Sequence, residues 1–197
     1  SDSQWVCWHD DHLKRVGVDS LLIPNSTLAE LQTLTLTQTR KDVTYTAHLC
    51  TVDEYLGICQ EYGVFPVVEL KWAIGLNNND MTLFPELFAL IEKHGLVEET
   101  VILTSMQQSI AYIREHYPQL QCQWLRHQVT TEDIAWCLEW GVNLSVNNSN
   151  FDSDIAQACK EANLPVAAWT INDQERCEQM LELGCYMITT DYLDIKK

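Results

Sequence analysis

The stretch "FPVVELKW" (65–72) opens apolar and β-branched, carries Pro66 near its start, and then sets Glu69 and Lys71 two positions apart. Its length and apolar character suit a buried strand. On a strand, residues i and i+2 share a face, so the carboxylate and the ammonium point the same way. An unpaired charge in a buried setting is costly. The two are therefore kept as an ion pair, or they are used. A carboxylate can hold a hard divalent cation, and a Lys can neutralise phosphate oxygens.

Five further runs share the character of this one: "TVILTS" (100–105), "LQCQWL" (120–125), "GVNLSV" (141–146), "LPVAAWT" (164–170) and "CYMITT" (185–190). Amphipathic stretches separate them. "TVDEYLGICQEYG" (51–63) begins with Thr51 as N-cap and Glu54 three residues on, a capping box, and ends at Gly63. "TTEDIAWCLEWG" (130–141) repeats the scheme with Thr130 or Thr131 as cap and Gly141 as stop, and "NDQERCEQMLELG" (172–184) does so with Asn172 and Gly184. Such alternation predicts a parallel sheet with helices outside it, either a doubly wound open sheet or a (β/α) barrel. No Gly-rich phosphate loop follows any run, which weakens the nucleotide-binding version. Polar residues at the ends of the runs (Glu69 and Lys71, Ser105, Asn147, Thr170, Asp191) favour the barrel, whose active sites are built at that face.

The chain has 197 residues and a formal net charge of −16, with 46% hydrophobic residues. That length predicts one domain over 1–197. The acidity argues against nucleic acid and anionic membranes as partners. A phosphate site needs local positive charge, from a metal or from named Lys and Arg. No stretch is long and apolar enough to span a membrane. The eight Cys show no C-x-x-C pair and no zinc spacing, and most sit in apolar surroundings as small hydrophobes. That usage predicts a reduced, cytoplasmic protein, with export left open.

The other chemically telling stretch is "WVCWHDDHLKR" (5–15), where an apolar run delivers His9 and Asp10 at its end. His is the side chain best suited to proton transfer near neutral pH.

Seven pieces stand in one order: "HDDHLKR" (9–15), "STLAEL" (26–31), "TVDEYL" (51–56), "FPVVELKW" (65–72), "VILTSM" (101–106), "LPVAAWTIND" (164–173) and "GCYMITTDY" (184–192). This order resembles the glycerophosphodiester phosphodiesterase family, a (β/α)8 TIM barrel. That family shows H-D-x-x-L-x-R, T-L-x-E-L, a second T-[LV]-x-E-x-L helix, a strand ending E-x-K, then V-I-[IL]-x-S, V-x-x-W-T-[VI]-N and a closing I-T-D. The resemblance implies hydrolysis of a glycerophosphodiester to glycerol 3-phosphate and an alcohol, aided by a divalent metal, Mg or Ca. It implies His9 as an acid–base catalyst, Glu69 as a metal-binding carboxylate, Lys71 as the cation facing the phosphate, and Trp169 as an aromatic wall near the glycerol. Asp10 and Arg15 then support the His9 loop, and Asp191 is a hydrogen-bonding residue of the barrel mouth.

The family's opening H-R-G strand and its E-x-D strand have no counterpart in 1–197. About one and a half βα units, on the order of 40 residues, are thus expected to be absent, leaving six of eight barrel strands plus the His9 hairpin. Two readings follow. One is an incomplete record of an enzyme, closed by a missing N-terminus or a partner piece. The other is a catalytically inactive barrel remnant that binds a phosphoester ligand or a partner chain. An unrelated (β/α) enzyme, with Glu69 and Lys71 as a mere salt bridge, stands as a third. Two raw sheet edges, with neither terminal edge blunted by Pro or Lys, favour the incomplete record. The remaining His residues and the polar loops "GLNNNDMTLF" (75–84) and "VNNSNFDSD" (146–154) read as surface, turn or cap features.

Overall fold

The computed structural model describes residues 2–40, 42–71 and 80–193, and it divides into two compact units. Trp72 and residues 75–79 of the 75–84 loop lie outside the described residues.

The first unit takes in residues 1–66 and 71–100. It holds β1 (His12–Leu13), β2 (Val18–Leu22), α1 (Leu28–Gln32), β3 (Leu36–Arg40), β4 (Val43–Ala47), α2 (Val52–Tyr62) and α3 (Phe84–Lys93). β1 and β2 pair antiparallel, as the expected hairpin after His9. Leu13, Leu31 and Leu49 are buried together, with Val6, Trp8 and Leu36 packed against them. α1 starts at a capping box of Thr27 and Glu30, the "STLAEL" turn. α2 starts at the expected box of Thr51 and Glu54 and ends at Gly63, whose φ of 62° is the left-handed conformation that Gly adopts without strain. The β3–β4 hairpin was not expected. Its Thr-rich strands alternate, but β4 is exposed throughout, so no apolar run marks it.

The second unit takes in residues 67–70 and 101–197. It holds β5 (Val67–Glu69), β6 (Val101–Thr104), α4 (Gln107–His116), β7 (Gln121–Arg126), α5 (Thr131–Trp140), β8 (Asn143–Asn147), α6 (Ser153–Glu161), β9 (Val166–Trp169), α7 (Gln174–Glu182) and β10 (Met187–Ile188). The strands form one parallel sheet in the order β10-β9-β8-β7-β6-β5. Each strand pairs with its neighbour in sequence, and the order never reverses. A doubly wound sheet reverses at a switch point, so the sequential order selects the barrel alternative.

Ile102, Leu144 and Ala168 are fully buried on the inner strands, and Ile110, Ile113, Cys137 and Met180 cover them from the helices. Cys137, Cys159 and Cys177 sit among the buried apolar residues, as small hydrophobes do. The end strands are short, with three residues in β5 and two in β10, and buried Pro66 stands immediately before β5. Short edge strands are one of the devices that blunt a sheet edge. One cap also differs. Asp173, not Asn172, caps α7 by accepting from Arg176 N. The Asn172 side chain is drawn instead to the chain after β10, where it meets Thr190 and Asp191.

Candidate active site

The expected site residues fall in both units. His9 and Lys71 belong to the first, Glu69 and Trp169 to the second.

His9 lies just ahead of β1 with its side chain 62% exposed. Its Nδ1 is 2.6 Å from Asp10 Oδ1, and Arg15 grips the same carboxylate through Nε and Nη2, each at 3.2 Å. The bond to His9 first, then the Arg15 charge, hold the Asp10 carboxyl below the usual Asp range. An ionised Asp10 only accepts, so the proton between them sits on His9 Nδ1. Within the H-D-x-x-L-x-R segment, Arg15 thus holds Asp10, and Asp10 holds the imidazole.

Glu69 is the last residue of β5, in register with Leu103, and Leu70 N donates to Leu103 O at 2.8 Å just beyond it. Exposure alternates here. Pro66 and Leu70 are buried, whereas Val67, Glu69 and Lys71 are exposed. Both charged residues are thus open to solvent, whereas the sequence suggested a buried setting. The charges are solvated, which removes the desolvation cost that a buried pair carries.

Trp169 ends β9, opposite Asn147 of β8. The sheet is parallel, so Glu69 and Trp169 lie on the same C-terminal edge with β6, β7 and β8 between them. Asn148 Nδ2 donates to the carbonyls of Trp169 and Thr170 at 3.1 and 3.0 Å, and Arg176 holds Asn148 through Nε on Oδ1 at 3.1 Å and Nη2 on its carbonyl. Asp191 accepts from Asn172 Nδ2 at 2.7 Å, a hydrogen-bonding role at this edge.

Two further residues stand at the same edge: His127, which the sequence suggests only as a surface or structural residue, and Arg126, which was not singled out in the sequence. His127 follows β7, and its ring stands edge-on to Trp169 with centroids 5.0 Å apart. Arg126 ends β7, lies 4.5 Å from the Trp124 ring centroid, and reaches Asp133 at 3.0 Å. The signal was available: "RH" directly follows a buried run, where a barrel presents its chemistry.

Among the described residues, no group of three or more His, Cys, Asp and Glu side chains is placed to hold a metal ion. Glu69 offers one carboxylate, and hard cations of this kind take six or more oxygens. The described residues therefore do not by themselves fit a divalent metal centre.

A profile of the glycerophosphoryl diester phosphodiesterase family matches residues 1–195. No curated protein matches the chain. Among solved structures, it is similar to an Oleispira antarctica phosphodiesterase in complex with its product sn-glycerol-3-phosphate. That likeness has a TM-score of 0.81 at 21% identity, over 97% of this chain and 77% of the other. A glycerophosphodiester phosphodiesterase from Parabacteroides distasonis gives 0.73 at 19% identity, over 94% and 73%. One from Agrobacterium tumefaciens gives 0.70 at 16%, over 94% and 77%. At these identities the likeness is one of fold. The six-stranded parallel sheet is a half-barrel of the (β/α)8 TIM type.

Proposed function

We propose that this chain, which belongs to the glycerophosphoryl diester phosphodiesterase family, contributes His9, Glu69, Lys71 and Trp169 to a site that hydrolyses glycerophosphodiesters to glycerol 3-phosphate and an alcohol. The observation that carries the reading is the family match, which covers residues 1–195 and so spans all four residues. It also supports taking 1–197 as one phosphodiesterase domain. The product held by the Oleispira relative supports the substrate class.

In this reading the Lys71 ammonium neutralises phosphoryl oxygens as charge builds on them. His9 Nε2 moves a proton at the leaving alkoxide or the attacking water, with Nδ1 steadied by Asp10. The Trp169 indole walls off the glycerol. A divalent metal, Mg or Ca, belongs to the family reaction, and Glu69 would be one of its ligands. The described residues do not complete that site.

The incomplete set of metal ligands among the described residues favours a companion reading: taken alone, the 197-residue chain binds a phosphoester ligand or a partner chain but turns substrate over slowly or not at all. The eight free thiols support a reducing, cytoplasmic setting, and the net charge of −16 supports a small-molecule ligand over nucleic acid. Among the described residues no helix is long and apolar enough to cross a membrane.

The test is glycerol 3-phosphate binding by calorimetry, beside release of glycerol phosphate from a glycerophosphodiester with Mg or Ca. Binding weakened at least tenfold by Lys71→Ala, with turnover near the uncatalysed rate, is expected. Fast turnover that survives both His9→Ala and Glu69→Gln would sink the assignment of these residues.

A further inference from the structure

The N-terminal segment and the segment leading into α2 run antiparallel about a bridge between Val6 and Thr51. Cys7 N donates to Cys50 O at 2.8 Å on one side of that bridge, and Val52 N donates to Trp5 O at 3.0 Å on the other. This spacing sets Cys7 directly opposite Cys50, with both side chains on one face of the ladder. Opposed residues at such a position have Cα atoms about 5.5 Å apart, inside the window of about 4.4–6.8 Å that a disulfide spans. The sulfurs converge. Cys50 Sγ is 3.2 Å and Cys7 Sγ 3.9 Å from the same oxygen, the Thr51 carbonyl. The other six Cys are buried, whereas these two are half-exposed. Cys50 lines an open hollow with His48, Glu54 and Ile58, which gives a reagent an approach.

We infer that Cys7 and Cys50 are a reversible oxidation site that closes to an intrachain disulfide at the expense of a low-molecular-weight disulfide. The Cys50 thiolate attacks one sulfur of the reagent, breaking its S–S bond and releasing one thiolate. The Cys7 thiolate then attacks the Cys50 sulfur of the mixed disulfide, forming the Cys7–Cys50 bond and releasing the second. The two Cys lose two electrons and two protons between them, and the reagent takes up both to become two thiols. The bridge ties down the segment that carries His9, two residues beyond Cys7.

Burial pushes the Cys7 thiol up to about 12 and raises that of Cys50 as well. The attacking thiolates are therefore scarce at neutral pH, and closure is slow. High thiol pKa values also make poor leaving groups, so the bridge, once formed, resists reduction.

The experiment treats the full chain with oxidised glutathione across a pH series, then alkylates, digests and maps it by mass. The expected result is one linked peptide pair joining Cys7 to Cys50, lighter by two hydrogens and reopened by dithiothreitol. Its rate should rise close to tenfold per pH unit. In the Cys7→Ser variant, Cys50 should stop at the glutathione adduct. Recovery of Cys7 and Cys50 as separate thiols or separate adducts, under conditions that cross-link the urea-unfolded chain, overturns the inference. So does a link from Cys50 to any other Cys.

Discussion

The Trp169 indole meets the His127 imidazole edge-on, with ring centroids 5.0 Å apart and planes at 89°. The contact joins the end of β9 to the residue after β7, across β8, at the C-terminal edge of the sheet. Its position is where a (β/α) barrel builds its chemistry. Behind the ring, Trp169 Nε1 is buried with no hydrogen-bond partner among the described residues.

A buried donor without an acceptor costs about 1–3 kcal/mol. Trp169→Phe keeps an aromatic ring beside His127 and removes that donor. The gain and the lost ring volume offset each other, so the unfolding free energy should stay within about 1 kcal/mol of the parent. Trp169→Ala should lose about 2–3 kcal/mol, below the full range for a wholly buried Trp, because this one is only partly covered. Urea titration of the three proteins checks this. A Phe variant as unstable as the Ala variant would mean that the N–H is satisfied.

Asp53 ties the first turn of α2 to the end of α3. Its carboxylate receives Lys93 Nζ at 2.8 and 2.9 Å, and its Oδ1 lies 2.7 Å from His94 Nε2. The Lys93 bond first, then that of His94, lower the Asp53 pKa from 3.8. A carboxylate depressed on folding stabilises the native state above its unfolded pKa, and that contribution is lost as pH falls through the folded value. The Tm gap between the parent and Asp53→Asn should therefore be present at about pH 5 and close as pH drops below 3.8. Thermal melts over that range decide it. A gap that is flat in pH would show that the carboxylate's charge contributes nothing. High salt should narrow the gap, because the group is exposed.

Much of this fold is legible in the sequence because its signals are local and agree with one another. Thr51 with Glu54 and Thr130 with Asp133 announce helix starts, and the positive φ of Gly63 and Gly141 marks the stops. All six apolar runs became neighbouring strands in sequential order. The β3–β4 hairpin was missed because its strands pair in solvent, so hydrophobic patterning carries no trace of it. The cap at 172–173 was misplaced because Asn172 is claimed by Asp191, a partner 19 positions away that no local rule sees. Likewise, the exposure of Glu69 and Lys71 was not legible, because it depends on which residues cover them and not on the strand period. His127 escaped notice because its relation to Trp169 runs across three strands and is not visible in spacing.

The capping box at α5 has an additional partner. Asp133 is 7% exposed, and it takes Thr130 N at 2.9 Å and Arg126 Nη2 at 3.0 Å, while Thr130 Oγ1 receives Asp133 N at 3.3 Å. Thr130→Ala removes only the Thr side of the box and should cost about 1 kcal/mol. Thr130→Ser keeps the hydroxyl and should stay within about 0.5 kcal/mol of the parent. Equal losses for Ala and Ser, read from urea midpoints, would show that the methyl group's packing matters and the cap does not.

Leu144 is fully buried at the centre of β8, in register with Trp124 of β7 and Val166 of β9. Strands on both sides and helices above leave little freedom for the site to collapse, so a truncation leaves a cavity. Leu144→Ala should therefore lose about 3 kcal/mol, within the range for buried Leu. Val43, at 49% exposure in the solvated β4, provides the contrast: Val43→Thr should shift stability by less than about 0.5 kcal/mol. Urea titration followed by Trp fluorescence measures both. A loss under about 1 kcal/mol for Leu144→Ala would mean that the sheet relaxes around the deletion. The interior of the parallel sheet would then not be the rigid layer on which Glu69 and Trp169 are mounted.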